Sequence, residues 1–561
     1  MKTLKCIQRG LLSLTCLSVM LTGCGSDNEP QPAPDKTDFT VTSTDINCSA
    51  GSSSVLAPFA GKNYQLSVTA SEEISWSVAV ESEPGFVTVT PQGEQQGNGT
   101  IKITVAENPD KTPGKKATVT IKNSIAGEYM KIAFEQKEKE LYFPEGSEGQ
   151  TAADFKNPNS RYNIYYMKEG DNVAVLWDKA MGYNPLQAQR RFDPERTLRA
   201  AEEVYAFLID ELGFANRTTS YANKYKFLVF VRNDDNGTAL GGGDNGVGKF
   251  WVSPLHLQNE RYGIFYHEMC HSFQFMAKYD GAANTTGPIH EMTSQWALMR
   301  RFPNWIDLER GHFNDFMKLT HLTLGHEANG YHSPYVLEYW ATKHGPHMIS
   351  RIWKEAKPED NGDFIATYKR LAGINQEQFN DEIYEAATRF ITWDLPHIEK
   401  EYAKHGGANV HTCELKRTGT GSKTYQITPG RCPQNYGYNG IKLKVPTVAG
   451  GKVQLTFQGI MNSTDFHYEN IDKKGWRYGF LAVKKNGERV YGEMGKTNEG
   501  TGSLSFTVPE NTQHLWLVVT GAPTKHWKHV VDGDNRTNDE QWPYQITLIN
   551  AEPDNDYCKI K

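Results

Sequence analysis

Two histidines four residues apart with a glutamate between them, His267-Glu268-Met269-Cys270-His271, can do metal chemistry if they lie on a helix. Imidazoles at i and i+4 then project from one face and grip a single cation, while the carboxylate between them can take a proton from water beside it. A hydrolytic zinc centre needs three protein ligands and leaves a fourth position for water. Glu291, after nineteen intervening residues, fits the vacancy within Ile289-His290-Glu291-Met292-Thr293-Ser294-Gln295-Trp296. His290 is its rival, but adjacent helical residues point about 100° apart, so only one can face the metal, and Glu291 is favoured. The bland alternative is a helix with two satisfied histidines and a surface glutamate.

These side chains need two helices to hold them. Ile264, Phe265, Tyr266, Phe273 and Phe275 flank the histidine pair, no Pro or Gly interrupts 264–278, and Gly281 is placed to end the helix. Gly287-Pro288 marks a turn before a second helix over 291–301, with Met292, Trp296 and Met299 as its apolar positions. Upstream, 225–231 and 247–252 read as strands. The Gly-rich stretch 240–246 between them lacks the Lys-Ser/Thr of a phosphate-binding loop and reads as a mobile turn. Asp193-Pro194 opens a helix whose Leu198, Ala201, Tyr205, Leu208 and Leu212 share helical spacing, with Gly213 at its end. Further helices are expected over 336–344, 348–356, 364–371 and 379–402.

The motif, with Glu291 on the glutamate of a downstream helix, resembles the gluzincin metallopeptidases of the thermolysin-like clan, whose spacing it matches. The resemblance implies Zn2+ held by His267, His271 and Glu291, with Glu268 as general base for a zinc-activated water that cleaves a peptide bond. It also implies a Tyr or His above the site to stabilise the oxyanion. Tyr331, in the segment 330–340, is the first choice, with His332 and Tyr335 behind it, and simple packing or capping stands as the alternative for each ring. Two departures from the family pattern stand out. His290 replaces the usual Asn, and Gln295 stands where an Asp often orients a ligand histidine; Gln can accept an imidazole N–H but raises ligand basicity less. By the same resemblance, 247–252 would be the sheet edge along which a substrate chain adds. A Gly-Ala-Met-Glu-Asn exopeptidase signature is absent, which points to an endopeptidase. The region 150–406 as a whole also resembles secreted bacterial zincin-like proteins of unassigned function.

At 561 residues the chain is too long for one core, and its net charge of −6 without a basic stripe argues against nucleic acid as a partner. Lys2, Lys5 and Arg9 precede an apolar run that ends Leu21-Thr22-Gly23-Cys24; this resembles a bacterial lipoprotein signal over 1–24, with Cys24 as the lipidated residue. The resemblance implies an outer-membrane or cell-surface location, with a lipid anchor as the membrane contact and 25–37 as a linker. Regular short strands over 38–138, with Trp76 as a natural core residue, predict an immunoglobulin-like sandwich, and their order resembles a BACON module acting as a spacer. Residues 144–159 read as a polar linker, and 410–552 as a jelly-roll-like β-sandwich that either binds glycan or buttresses the catalytic region. Cys48 and Cys270 look isolated, whereas a pair among Cys413, Cys432 and Cys558 could bridge in an oxidising compartment; sequence does not choose the pair.

The expected fold class is thus multidomain α+β, a zincin-like catalytic domain between two β-sandwiches. The expected function is a surface-anchored zinc metallopeptidase acting on extracellular proteins or glycoproteins. Two rivals are a carbohydrate-binding surface lipoprotein with a non-catalytic zincin domain, and a mucin-directed glycopeptidase.

Overall fold

The computed structural model describes residues 38–561 apart from 49–50, 58–60, 83, 107–114, 137–138, 140, 146–147, 152–160, 186–188, 218–219, 259–260, 406–412, 448–449 and 534–538. The expected lipidation site Cys24 lies outside these residues. Two compact units form, one within 38–134 and one from Glu135 to Lys561.

In the first unit, alternating burial along Lys62–Ala70 sends Tyr64, Leu66 and Val68 inward and their neighbours out, the period of a half-buried strand. One sheet runs Phe39–Thr42, Lys62–Ala70, Gly99–Val105, Val87–Thr90; the other runs Ser52–Ala57, Gly127–Gln136, Lys115–Asn123, Ser75–Ser82, Gln95–Gln96. Tyr64 meets Phe134 across the sheets at 5.4 Å between ring centroids. Trp76 is buried as expected, its indole donating to the Gly97 carbonyl at 2.8 Å. Gly99 makes room for that ring, since a Cβ there would lie 2.4 Å from it.

The second unit begins with a five-stranded sheet of β1 (Tyr165–Glu169), β2 (Val173–Asp178), β3 (Phe227–Val231), β4 (Ala239–Asp244) and β5 (Val247–Val252), in the order β1-β2-β3-β5-β4. The three central strands are parallel and the two edges antiparallel. Every residue of β3 is buried, which is why it reads as a continuous apolar run rather than an alternating one. Helix α1 (Pro194–Ala206) joins β2 to β3; Asp193 caps it by accepting from the N–H groups of Glu195 and Arg196.

Three expectations fail here. The Gly-rich stretch is the edge strand β4, not a mobile turn, and it displaces 247–252 into the sheet interior. The reason is steric: β4 lies against the next helix so closely that a Cβ on Gly241 would stand 2.2 Å from the Glu268 carbonyl oxygen, and one on Gly243 2.1 Å from Phe275. The expected linker 144–159 is paired in part, with 146–147 and 152–159 outside the described residues. Tyr142–Glu145 and Glu148–Thr151 pair, and Leu141 and Phe143 are buried with Leu176, Leu228 and Val247 on one face of the sheet.

Helices follow the sheet: α2 (Gly263–Ala277), α3 (Ile289–Arg301), the one-turn Trp305–Leu308, α4 (Arg310–Leu319), α5 (Tyr335–His344), α6 (His347–Lys354), α7 (Phe364–Ala372), α8 (Gln376–Thr392) and α9 (Glu399–Ala403). The helix expected over 379–402 is two helices, because Trp393 turns left-handed at φ 55° and Pro396 follows. Glu338 on α5 is wholly buried, accepting from Arg300 at 2.9 Å and from the Trp296 indole at 3.0 Å, so it pins α5 to α3. Removing one partner of such a pair costs about 3–5 kcal/mol.

The chain ends in a sandwich of a six-stranded sheet (Thr501–Thr507, Lys452–Gly459, Tyr544–Ile549, Thr424–Ile427, Cys413–Arg417, Cys558–Ile560) and a second sheet built on Tyr438–Leu443, Thr512–Gly521 and Trp476–Lys484. Strands of the second sheet are buried on both faces: Phe480, Leu517 and Val519 enter the sandwich core, while Leu481, Trp516 and Val518 join the helical core. Arg477 reaches Asp381 at 2.6 Å and Arg489 reaches Glu399 at 2.7 Å, tying the sandwich to α8 and α9. The sandwich buttresses the helices. Among the described residues no helix is long and apolar enough to cross a membrane.

Candidate functional site

Helix α2 runs beneath a cleft of about 750 Å3, with Phe265, Met269, Cys270, Phe273 and Met276 in the core. His267, Glu268 and His271 face the cleft, and α3 brings Glu291 to them across the turn at Gly287, whose φ of 93° few other residues adopt. His267 Nε2 stands 3.1 Å from Glu291 Oε2 and 3.2 Å from His271 Nε2, and His271 Nε2 stands 3.4 Å from the same carboxylate oxygen. Three N and O donors held tetrahedrally at about 2.0–2.1 Å around zinc lie about 3.3–3.4 Å apart, so this triangle fits that ion. A carboxylate oxygen of Glu268 lies within 4.8 Å of a ring nitrogen of each histidine.

His271 Nδ1 faces Gln274 Oε1 at 3.0 Å and Ser294 Oγ at 3.3 Å. The Gln274 amide donates to the His290 carbonyl at 2.9 Å, which fixes its oxygen towards His271. Nδ1 therefore carries the proton and Nε2 offers its lone pair to the cleft. Gln295, at the position where the family resemblance places an orienting residue, does not serve here: its Oε1 accepts the buried Trp305 indole at 3.1 Å. A buried indole N–H demands an acceptor, and Gln295 is spent on it. The usable signal for Gln274 was a polar residue three positions beyond His271, on a helix face otherwise apolar. His290 turns away from the triangle, its ring nitrogens on the Thr285 carbonyl at 2.9 Å and Gln274 Oε1 at 3.1 Å.

Electrostatics separate the two glutamates. Burial pushes the Glu268 carboxyl above the ordinary range, against the pull of His267, His271 and a hydrogen bond from the Gly241 N–H. Burial would also raise Glu291, but hydrogen bonds from His267 and His271 outweigh it and hold that carboxyl well below the usual value.

Tyr331 stands at the mouth, half-exposed, in the turn after Glu327–Asn329; burial and the nearby Glu291 carboxylate push its pKa up to about 12. Its ring lies in a stack that sequence did not reveal: His267 at 6.1 Å on one side, His312 at 5.7 Å on the other, and Trp305 at 6.4 Å beyond His312. The two reserve candidates do other work. Tyr335 is buried and bonds the Tyr402 hydroxyl at 3.1 Å, and His332 meets His312, Nδ1 to Nδ1, at 2.9 Å.

A strap from the sandwich holds the approaches to both α3 and Tyr331. Lys528 Nζ donates to Thr286 Oγ1 at 2.8 Å, and His529 Nε2 contacts Glu327 Oε2 at 3.1 Å. His326, Glu327 and His529 cluster there. Both nitrogens of His326 are taken, Nδ1 by the Ala328 N–H at 3.1 Å and Nε2 by Asp539 at 3.0 Å, so the cluster is a structural tie.

Residues 133–555 match a family of unknown function (DUF6055), and residues 45–128 match a BACON domain described as viral. No curated protein matches the chain. Among solved structures, the M60 catalytic domain with the CBM51-1 and CBM51-2 domains of Clostridium perfringens ZmpB is 9% identical; the match covers 92% of this chain and 76% of that one at a TM-score of 0.27. WR4, a C. elegans MSP family member, is 15% identical over 17% of this chain and 96% of its own, at a TM-score of 0.12. BiXyn10A CBM1 is 11% identical over 23% of this chain and 72% of its own, also at 0.12. Scores this low leave the fold and the chemistry to be argued from the chain itself.

Proposed function

Because the chain belongs to the family of unknown function DUF6055, which assigns no activity, we propose from the site alone that it is a zinc-dependent endopeptidase of gluzincin type. The observation that carries the reading is the donor triangle of His267, His271 and Glu291, with the Glu268 carboxylate beside it. Bound zinc would supply a Lewis acid that acidifies water and polarises a carbonyl oxygen. His267, His271 and Glu291 would hold the ion. Glu268, made a stronger base by burial, takes the proton of the attacking water and passes it to the departing amine. The Tyr331 hydroxyl donates to the oxyanion that develops at the mouth. β4 is an edge strand whose Ala239, Leu240 and Gly241 line the cleft, so an extended polypeptide can lie along it as a further strand.

We propose extracellular proteins or glycoproteins as substrates, and anchoring through Cys24, on the sequence features that suggest them. The test is Glu268→Gln. The expected variant binds zinc as the wild type does and loses general-protein digestion. Wild-type protein that binds zinc yet digests no protein or glycoprotein, or a Glu268→Gln variant with full activity, sinks the reading.

A further inference from the structure

Five cysteines are described, and all five stand as thiols. Four are buried, and two of those face each other. Cys413 opens the strand Cys413–Arg417, and Cys558 opens the last strand, Cys558–Ile560, which forms the edge of the six-stranded sheet. The two strands are parallel, with Cys413 directly opposite Cys558. Neighbouring strands lie about 4.7–4.9 Å apart, inside the roughly 4.4–6.8 Å between Cα atoms that a disulfide spans. Side chains of directly paired strand residues project to the same face, and here both are buried in the sandwich core. Cys432 lies in the same core but follows the turn Pro429–Arg431 and has no place on either of the two paired strands.

We propose that Cys413 and Cys558 are joined by a disulfide that staples the C-terminal edge strand to the sandwich, and that Cys432 remains a thiol. The strand is short. Among the described residues it pairs over three residues, on one side only. Short edge strands of this kind fray, and a cross-link closing a loop of more than a hundred residues removes much of the disorder available to the unfolded chain. Both sulfurs are buried in the finished fold, so the bond forms while the last strand is still docking.

The oxidant is a disulfide, from a thiol oxidase or oxidised glutathione. One cysteine loses its proton and attacks the oxidant's S–S bond, giving a mixed disulfide; the second thiolate then displaces the remaining half. One S–S bond forms in the protein and one breaks in the oxidant, which leaves as two thiols carrying the two electrons and two protons. This proposal is independent of the activity assigned above.

The test is to unfold the full chain, refold it in a glutathione redox buffer, alkylate without reduction and map the digest by mass spectrometry. The expected result is one linked peptide pair holding Cys413 and Cys558, lighter by two hydrogens than the reduced pair, with Cys270 and Cys432 alkylated. Cys432→Ser should keep the link; Cys413→Ser should leave Cys558 alkylated with no replacement bridge. Folded protein with Cys413 and Cys558 both alkylated, or a bridge from Cys432 to either, overturns the proposal.

Discussion

Replacing Gln274 by Leu removes the acceptor that holds His271 in the tautomer offering Nε2 to the metal. Loss of a group that orients a ligand histidine costs about 10–100-fold in metal affinity. Where this site falls in that range follows from what remains. Ser294 Oγ stands 3.3 Å from the same Nδ1 and can take over part of the bond, so Gln274→Leu alone should weaken zinc binding about tenfold, or about 1.4 kcal/mol. The double variant Gln274→Leu/Ser294→Ala leaves the N–H with no acceptor and should reach about 100-fold, or about 2.7 kcal/mol. The single change also strips the His290 carbonyl of its 2.9 Å donor, which costs about 1–3 kcal/mol of folding stability. Zinc affinity by competition with a fluorescent chelator and thermal melting of the metal-free protein separate the two effects. A double variant with unchanged zinc affinity, where His271→Ala abolishes binding, would refute the argument that the second nitrogen tunes the first.

Three further outcomes are expected. Tyr331→Phe should lower kcat about 100–1,000-fold while zinc affinity holds, as removal of an oxyanion donor does; an unchanged kcat in steady-state kinetics would return Tyr331 to a packing role. Gly241→Ala places a methyl 2.2 Å from the Glu268 carbonyl oxygen and 2.9 Å from His271 Cβ, backbone and helix that cannot yield cheaply. It should destabilise the fold by about 1–3 kcal/mol or more and move the N–H that holds Glu268, and a melting curve equal to wild type would show that β4 is free to shift. Lys139 is buried against Tyr205, and desolvation, opposed by Glu202, lowers its pKa from 10.5 to about 7. A lysine that binds its proton more weakly when folded costs stability, in full below pH 7 and not at all above about 10.5. Lys139→Met should therefore stabilise most near neutrality, its advantage over wild type falling by up to about 1.4 kcal/mol per unit as pH rises from 7 towards 10. Denaturant melts giving a constant difference across that range would contradict it.

What sequence could reveal here was whatever depends on neighbours along one helix. His267 and His271 at i and i+4, Glu291 two residues into the next helix, and Trp76 among alternating strands are all local patterns, and the structure places each where the pattern puts it. What stayed hidden depends on contacts that periodicity cannot encode. Gln295 is free for a histidine as far as its own helix shows, and only the position of Trp305, one helix later, takes its oxygen. β4 looked like a turn because glycines usually make turns, whereas Gly241 and Gly243 are bare so that a strand can press against α2. Leu141 and Phe143, just before the expected linker, likewise find their partners on strands far along the chain.

The C-terminal sandwich carries this lesson into function. Its strap reaches Thr286 through Lys528 and Glu327 through His529, the segments that deliver Glu291 and Tyr331 to the cleft. A donor triangle with edges of 3.1–3.4 Å tolerates little drift in α3, so Glu291, the third ligand in the proposed reading, is positioned from more than two hundred residues away. Residues 526–529 therefore belong with the site whatever the sandwich binds on its other faces. Lys528→Ala, which touches no reacting atom, should loosen zinc binding while leaving the sandwich core intact, the opposite of what a passive spacer would do.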